Sequence, residues 1–293
     1  MGVVAKYSIK DLEILSGIRA ATLRMWEKRY QIITPLRTHT NIRYYGNEHL
    51  KLLLNINVLN RNGIKISHIA RMTPSEITEK VKDLSFVKTG DDDLFDGLML
   101  SMIDLNEGMF HQVFYKAVAR LGFEDTINKI IFPFFSRIGI MWQIDSINPA
   151  QEHFISNMVR QKLIAAIDNL ALKEKANLQT LLLFLPEEEL HELGLLFFNY
   201  LLKSKGYRTI YLGQAVPLND LPKIVEISDP DILICNVSNP MSVGDVGSFI
   251  TKLKVVPSTK KLFITSQAIF EERPDLPSHI HLFESLKKLI SEF

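Results

Sequence analysis

The stretch LQTLLLFLPEEELHELG, Leu178 to Gly194, sets a run of apolar residues against an acidic loop that holds one histidine. Leu181 to Leu185 are apolar without alternation, the pattern of a strand covered on both faces. Pro186 ends it, and HELGLLFFNYLLKSKG, opening at His191, reads as a helix. Further along, GYRTIYLG, DPDILICNVS, TKKLFITS and HIHLF read as four more buried strands. The segments NDLPKIVEIS, SVGDVGSFITKLKVV and ESLKKLISEF read as helices between or after them. Strand and helix in alternation imply a doubly wound α/β domain with a parallel five-stranded sheet over residues 175–293.

In such sheets ligands collect beyond the carboxyl ends of the strands, where the strand order reverses, and PEEELHELG falls in the loop after the first strand. A neutral His191 there can coordinate a metal through one ring nitrogen while Glu189 orients the other. A helix-capping or solvated histidine fits the same nine residues equally well.

The 293 residues are 46% hydrophobic and 23% charged, enough for two or three domains with cores of their own. No run of eighteen apolar residues occurs, and MGVVAKYSIK has no apolar segment of a secretion signal, so a cytoplasmic protein without a membrane span is expected. A single cysteine, Cys235, excludes an internal disulfide and a Cys-rich zinc site; within DILICNVS it reads as a buried strand thiol. Residues 1–82 carry 14 Lys or Arg against 6 Asp or Glu, while the rest of the chain carries 20 against 27. A basic head on an acidic body points to a polyanion that meets the head alone.

Within that head, YSIKDLEILSGI places Ser8 three residues before Asp11, a capping-box variant. It then sets Ile9, Leu12, Leu15 and Ile18 at helical spacing. After Ser16-Gly17, RAATLRMWEKRY puts Leu23, Trp26 and Tyr30 on one stripe and Arg24 and Lys28 on another, completing a helix-turn-helix. IITPLRTHTNIRYY then reads as a hairpin wing, with Pro35 and Asn41 as turn formers and Arg37 and Arg43 around the turn. Asn47 is expected to cap the long helix NEHLKLLLNINVLNRNG, with a short helix around ISHIARM behind it.

A polar linker follows, spanning residues 76–93, and then DDLFDGLMLSMID, NEGMFHQVFYKAVARLG, FEDTINKIIFPFFSRIGIMW and NPAQEHFISNMVRQKLIAAIDNLA form a four-helix bundle over 94–174. Pro133 should kink the third helix. Trp142, nine intervening residues and then Glu152-His153 flank one short connection. Taken alone, the tryptophan reads as core and the histidine as a hydrogen-bonded helix residue.

TLRMWEKRY followed by TPLRTHTNIRYY resembles the winged-helix DNA-binding domain of the MerR family of bacterial transcription regulators, over residues 6 to 75 within a head domain of 1–75. The resemblance implies Thr22, Arg24 and Lys28 as groove contacts and Arg37, Asn41, Arg43 and Tyr44 as wing contacts to a double-stranded operator. Trp26 and Tyr30 stay open as core residues instead.

The pattern Glu189-Leu190-His191-Glu192-Leu193-Gly194 before YLGQAVP resembles the flavodoxin-like cobalamin-binding domain of corrinoid proteins, and Trp142 with Glu152-His153 matches the spacing of that family's helical cap. The whole order of parts is similar to the cobalamin-dependent photoreceptor repressors of carotenoid synthesis. The resemblance implies adenosylcobalamin or methylcobalamin, with His191 as lower cobalt ligand, His153 as a possible upper one, and Trp142, Glu152, Glu189, Gly194 and Ser238 around the cofactor. Glu188 stands where relatives carry glycine, and Thr265-Ser266 where they carry a glycine pair beside the nucleotide tail, so these two side chains narrow the tail's channel.

The implied function is a non-enzymatic, one-component regulator, a dimer or tetramer in a bacterial cytoplasm and at its nucleoid, whose operator binding a cobalamin controls. The alternative keeps the DNA-binding head and makes the rest a cofactor-free interaction module. A corrinoid methyltransferase fits poorly, because the chain has no cysteine-based zinc site to activate a thiol.

Overall fold

The computed structural model describes residues 7–38, 41–61, 63–83, 91–142, 149–170, 179–238, 246–272 and 274–293. The chain divides into two compact units, Met1–Met158 and Val159–Phe293.

In the first unit, Ser8 and Asp11 form both bonds of a capping box at the start of α1 (Ile9–Ser16), which ends at Gly17 with φ +69°, a left-handed position that glycine occupies without strain. Helix α2 (Ala20–Tyr30) buries Leu23 and Trp26 and leaves Tyr30 half-buried, so Trp26 is a core residue. The wing is the antiparallel pair β1 (Leu36–Arg37) and β2 (Arg43–Tyr44), turned through Asn41 at φ +64°. Asn tolerates this region better than most side chains.

Helix α3 (Asn47–Arg61) starts with Asn47 inside it rather than capping it. The Oδ1 of Asn47 accepts the Tyr7 hydroxyl at 2.6 Å, and His49 Nδ1 instead takes the Gly46 N–H at 3.1 Å. After α4 (Ile66–Ile69) comes α5 (Pro74–Asp83), opened by reciprocal bonds between Thr73 and Glu76 and packed on α3. The expected linker over 76–93 is therefore helical through residue 83, and residues 91–93 already belong to the next helix; residues 84–90 lie outside the described residues. Its polar composition reflects the exposed faces of α5, whose Ile77 and Val81 are buried.

Helix α6 (Asp91–Ile103) is buried at every position from Asp93 to Met102, between α7 (Glu107–Leu121) on one side and α3 of the head on another. The closeness of α6 to α7 requires Gly97, since a Cβ there would sit 2.7 Å from Val113 Cγ2. The third bundle element is α8 (Phe123–Thr126), a π-helical turn (Ile127–Ile131) and α9 (Phe132–Trp142). The irregular turn lies just ahead of Pro133, which has no N–H to continue an i−4 ladder. The fourth, α10 (Pro149–Asp168), runs across the boundary between the units.

The second unit holds the parallel sheet: β3 (Thr180–Pro186), α11 (Leu193–Ser204), β4 (Arg208–Val216), α12 (Leu221–Ser228), β5 (Ile232–Asn236), α13 (Val246–Leu253), β6 (Lys261–Thr265), α14 (Gln267–Glu272), β7 (Ile280–Phe283) and α15 (Leu286–Leu289). The strand order β4-β3-β5-β6-β7 is the doubly wound one. Leu182 and Phe184 of β3 face one apolar core and Leu181, Leu183 and Leu185 the other, which is why that strand shows no alternation. The order reverses between β3 and β5, and at the carboxyl edge of the sheet Ser238, just after β5, meets Glu189 in the loop after β3.

Candidate functional site

On the head, Arg24 and Lys28 stand exposed on the side of α2 turned away from Leu23 and Trp26, with Thr22 partly exposed beside them. Arg37, Asn41 and Arg43 are exposed on the wing and Tyr44 is half-buried. Arg37 Nη1 donates to Asn41 Oδ1 at 2.7 Å, so the turn residue holds the arginine in place. Glu27 of α2 lies 3.9 Å from Arg43 Nε and accepts the Tyr45 hydroxyl at 3.5 Å, tying the wing to the second helix of the helix-turn-helix. Seven polar or cationic side chains thus share one unit with a fixed wing.

In the second unit, His191 lies in the loop between β3 and α11, two residues before the helix begins, and so does not open it. Glu189 is fully buried beneath it. One oxygen of Glu189 accepts both the His191 N–H at 2.9 Å and the ring Nδ1–H at 2.7 Å; the other accepts the Ser238 N–H at 2.8 Å. The imidazole itself is 65% exposed. A buried carboxylate at Nδ1 selects the tautomer whose lone pair is on Nε2, the arrangement seen where histidine ligates a metal. Burial, and then the Glu189 charge, push the thiol of Cys235 up; this cysteine is the inert strand thiol expected.

The polar contacts continue behind Ser238. Its Oγ accepts from Asn236 Nδ2 at 2.8 Å, and Asn236 Oδ1 accepts from Thr265 Oγ1 at 2.7 Å, with Asn236 and Thr265 facing each other across β5 and β6. Thr265 and Ser266 are both buried, and Ser266 Oγ accepts the Ile269 N–H at 3.4 Å at the start of α14. The two hydroxyls expected to crowd the nucleotide tail are thus engaged inside the domain. Asn236 was not among the residues singled out from sequence, although a lone amide in the buried strand ILICN is a signal for it.

Glu192 is a second buried carboxylate in the same loop, paired with Arg160 and accepting the Tyr211 hydroxyl at 3.0 Å. Burial, followed by the Glu192 charge, drives the Tyr211 hydroxyl well above the ordinary phenol range. Gln214 Nε2 donates to the Leu190 carbonyl at 2.6 Å and holds the loop from the β4 side. Glu188 is exposed. Gly194 lies in the first turn of α11 beside Leu286, and a Cβ there would make an ordinary 3.5 Å contact, so packing does not demand glycine.

The three cap residues belong to the first unit. Trp142 is the last residue of α9, Glu152 and His153 are in the opening turn of α10, and the His153 side chain is 73% exposed with its Nδ1 3.5 Å from Glu152 Oε2. Among the described residues no cluster of three His, Cys, Asp or Glu side chains suits a metal. Among them, too, no helix is long and apolar enough to cross a membrane.

Residues 7–76 match the MerR HTH family regulatory protein model, and residues 94–166 match the B12 binding domain model. The chain therefore joins a MerR-type DNA-binding domain to a B12-binding domain, a regulator architecture. Its relatives include the HTH-type transcriptional repressor CarH of Myxococcus xanthus, 26% identical over 254 residues that cover 85% of this chain and 84% of the relative. The repressor CarA of the same organism is 26% identical over 227 residues, covering 77% and 74%. Among solved structures, the monomethylamine corrinoid protein of Methanosarcina barkeri superposes with a TM-score of 0.54 at 15% identity, covering 69% of this chain and 98% of that one, a likeness of fold. The B12 binding domain match does not favour a cofactor-free module.

Proposed function

We propose that the chain is a DNA-binding transcription regulator whose operator binding is controlled by a corrinoid with His191 as the lower cobalt ligand. The observation that supports it is the pair at the switch point of the sheet, an exposed imidazole on a buried carboxylate. An axial ligand needs one ring nitrogen fixed and the other presented outward, and His191 on Glu189 meets that requirement. Ser238 and Gly194 border the same loop, while Trp142, Glu152 and His153 enter as cofactor contacts on the family resemblance. The bound group, adenosylcobalamin or methylcobalamin, would supply a cobalt–carbon bond that light can break.

The chain's own part is to hold Nδ1 protonated, to keep water from the Glu189 carboxylate by burial, and to present the head. There, Thr22, Arg24 and Lys28 are proposed for the major groove of a double-stranded operator, and Arg37, Asn41, Arg43 and Tyr44 for the backbone or minor groove. Control requires that the ligand favour one assembly of a homo-oligomer, a dimer or tetramer, over another.

The test is direct. Purified protein is mixed with adenosylcobalamin in the dark, freed of excess, and its visible spectrum and operator gel shift are recorded before and after illumination. Retained corrin absorbance with a histidine-on spectrum is expected, together with a gel shift that changes on cofactor addition. His191→Ala should lose the histidine-on features, and an unchanged spectrum in that variant would remove His191 from the ligand role.

A further inference from the structure

Thr265 and Asn236 stand three and two hydrogen bonds from the Glu189 carboxylate, on different strands, yet every link between them is short. Thr265 Oγ1 donates to Asn236 Oδ1 at 2.7 Å, Asn236 Nδ2 donates to Ser238 Oγ at 2.8 Å, and the Ser238 N–H donates to Glu189 Oε2 at 2.8 Å. Glu189 Oε1 then accepts from His191 Nδ1 at 2.7 Å. Thr265, Asn236 and Glu189 are all buried. An amide has one acceptor end and one donor end, so an Asn236 whose oxygen is taken by the threonine must aim its NH₂ at Ser238. Removing the threonine hydroxyl frees the amide to turn, and the residue that holds the second oxygen of Glu189 loses its anchor. The β5–β6 register, with Asn236 opposite Thr265, supplies the rest of the rigidity.

We propose that Thr265 and Asn236 are positioning residues for His191: by fixing Ser238 they fix the Glu189 carboxylate, which selects the Nδ1-protonated imidazole. The consequence for cofactor binding rests on the ligand role proposed for His191, whereas the tautomer itself is a property of the cofactor-free chain. Outer partners of a metal-binding histidine typically change metal affinity by roughly 10–100-fold, and a contact at this remove belongs at the lower end.

The experiment uses the full chain labelled with 15N-histidine, cofactor-free, with His191 resonances identified by their loss in His191→Ala. The parent and Thr265→Ser, which keeps the hydroxyl, should show the Nδ1–H tautomer; Thr265→Val, of the same shape without the hydroxyl, should show a mixture with Nε2–H. In parallel, titration with aquocobalamin should give about tenfold weaker histidine-on binding for Thr265→Val, restored in Thr265→Ser. If Thr265→Val folds poorly, Asn236→Ser, whose shorter side chain cannot reach both partners, is read in the same way. Wild-type tautomer populations in Thr265→Val and Asn236→Ser would overturn the proposal. A parent chain that takes up no corrinoid would instead overturn the function proposed above, and the tautomer measurement would still decide the positioning roles.

Discussion

The amide of Asn57 in α3 donates to the carboxylate of Asp96 in α6 at 3.1 Å, a buried hydrogen bond between the DNA-binding head and the helical bundle. The same Nδ2 reaches the carbonyl of Ser16, at the end of α1, at 2.9 Å. Two helices of the head and one of the bundle thus meet at a single side chain. Lys51 and Asp104, paired at 2.8 Å nearer the surface, repeat the connection between α3 and the end of α6.

Asn57→Ala should therefore lower the stability of the first unit by about 1–3 kcal/mol, because it leaves a buried carboxylate and a carbonyl short of a donor. Urea unfolding followed by circular dichroism measures it. Lys51→Ala, at a partly exposed pair, should cost well under half as much. Equal effects would place the coupling at the surface instead.

Gly97→Ala should destabilise by about 1–3 kcal/mol through overpacking, since its methyl would arrive 2.7 Å from Val113 Cγ2. Pairing it with Val113→Ala makes room for the methyl, so the double variant should lose less than the two single losses added together. Thermal melting of the four proteins completes the cycle, and strict additivity would mean that the helices simply move apart.

Operator affinity should fall with salt, and each phosphate contact removed should flatten the slope of log K against log salt by about 0.9. Arg24→Ala, Lys28→Ala and Arg37→Ala are the variants to compare by gel shift across a salt series. Asn41→Ala should reproduce part of the Arg37→Ala effect, because it removes the 2.7 Å bond that holds the guanidinium. Trp26→Ala should instead unfold the head, as loss of a buried tryptophan costs about 3–5 kcal/mol.

Stability should decline in alkali. Cys235, Tyr7, Tyr45 and Tyr211 all have pKa values raised in the fold, with burial as the main cause, so the folded chain keeps protons that the unfolded chain gives up. Their contribution is complete below the unfolded values, about 8.5 for cysteine and about 10 for tyrosine, and is lost as pH rises beyond them. Urea midpoints between pH 7 and 11 should begin to drop near the cysteine value, and Cys235→Ala should delay that onset towards the tyrosine value. A midpoint flat to pH 11 would contradict the burial argument.

The sheet was legible because its central strands are covered on both faces, so their apolar runs could not be confused with amphipathic helices. His191 and Glu189 were legible for a different reason, since residues two apart in a loop at a strand end can reach each other without knowledge of the rest. Asn236 was not, because its role depends on the register that sets it opposite Thr265. Asn47 was misassigned as a cap because Tyr7, forty residues earlier, competes for its side chain. The α5 segment reads as a linker because its buried apolar residues are few, Ile77 and Val81 among the described side chains. The irregular turn before Pro133 followed the expected disturbance at that residue, although the sequence does not say whether a proline will bend a helix or widen its preceding turn.

Helix α6 is buried from Asp93 to Met102, and part of its cover is α3 of the head. The head is thus not a bead on a string but a limb set in a socket. In any symmetric assembly of this chain, the separation of two reading helices would be dictated by how the bundles dock, and DNA asks for about 34–36 Å between half-sites one helical turn apart. A signal that shifts the bundles by a few ångströms would then be read out as a mismatch of pitch, with no need to alter any base contact.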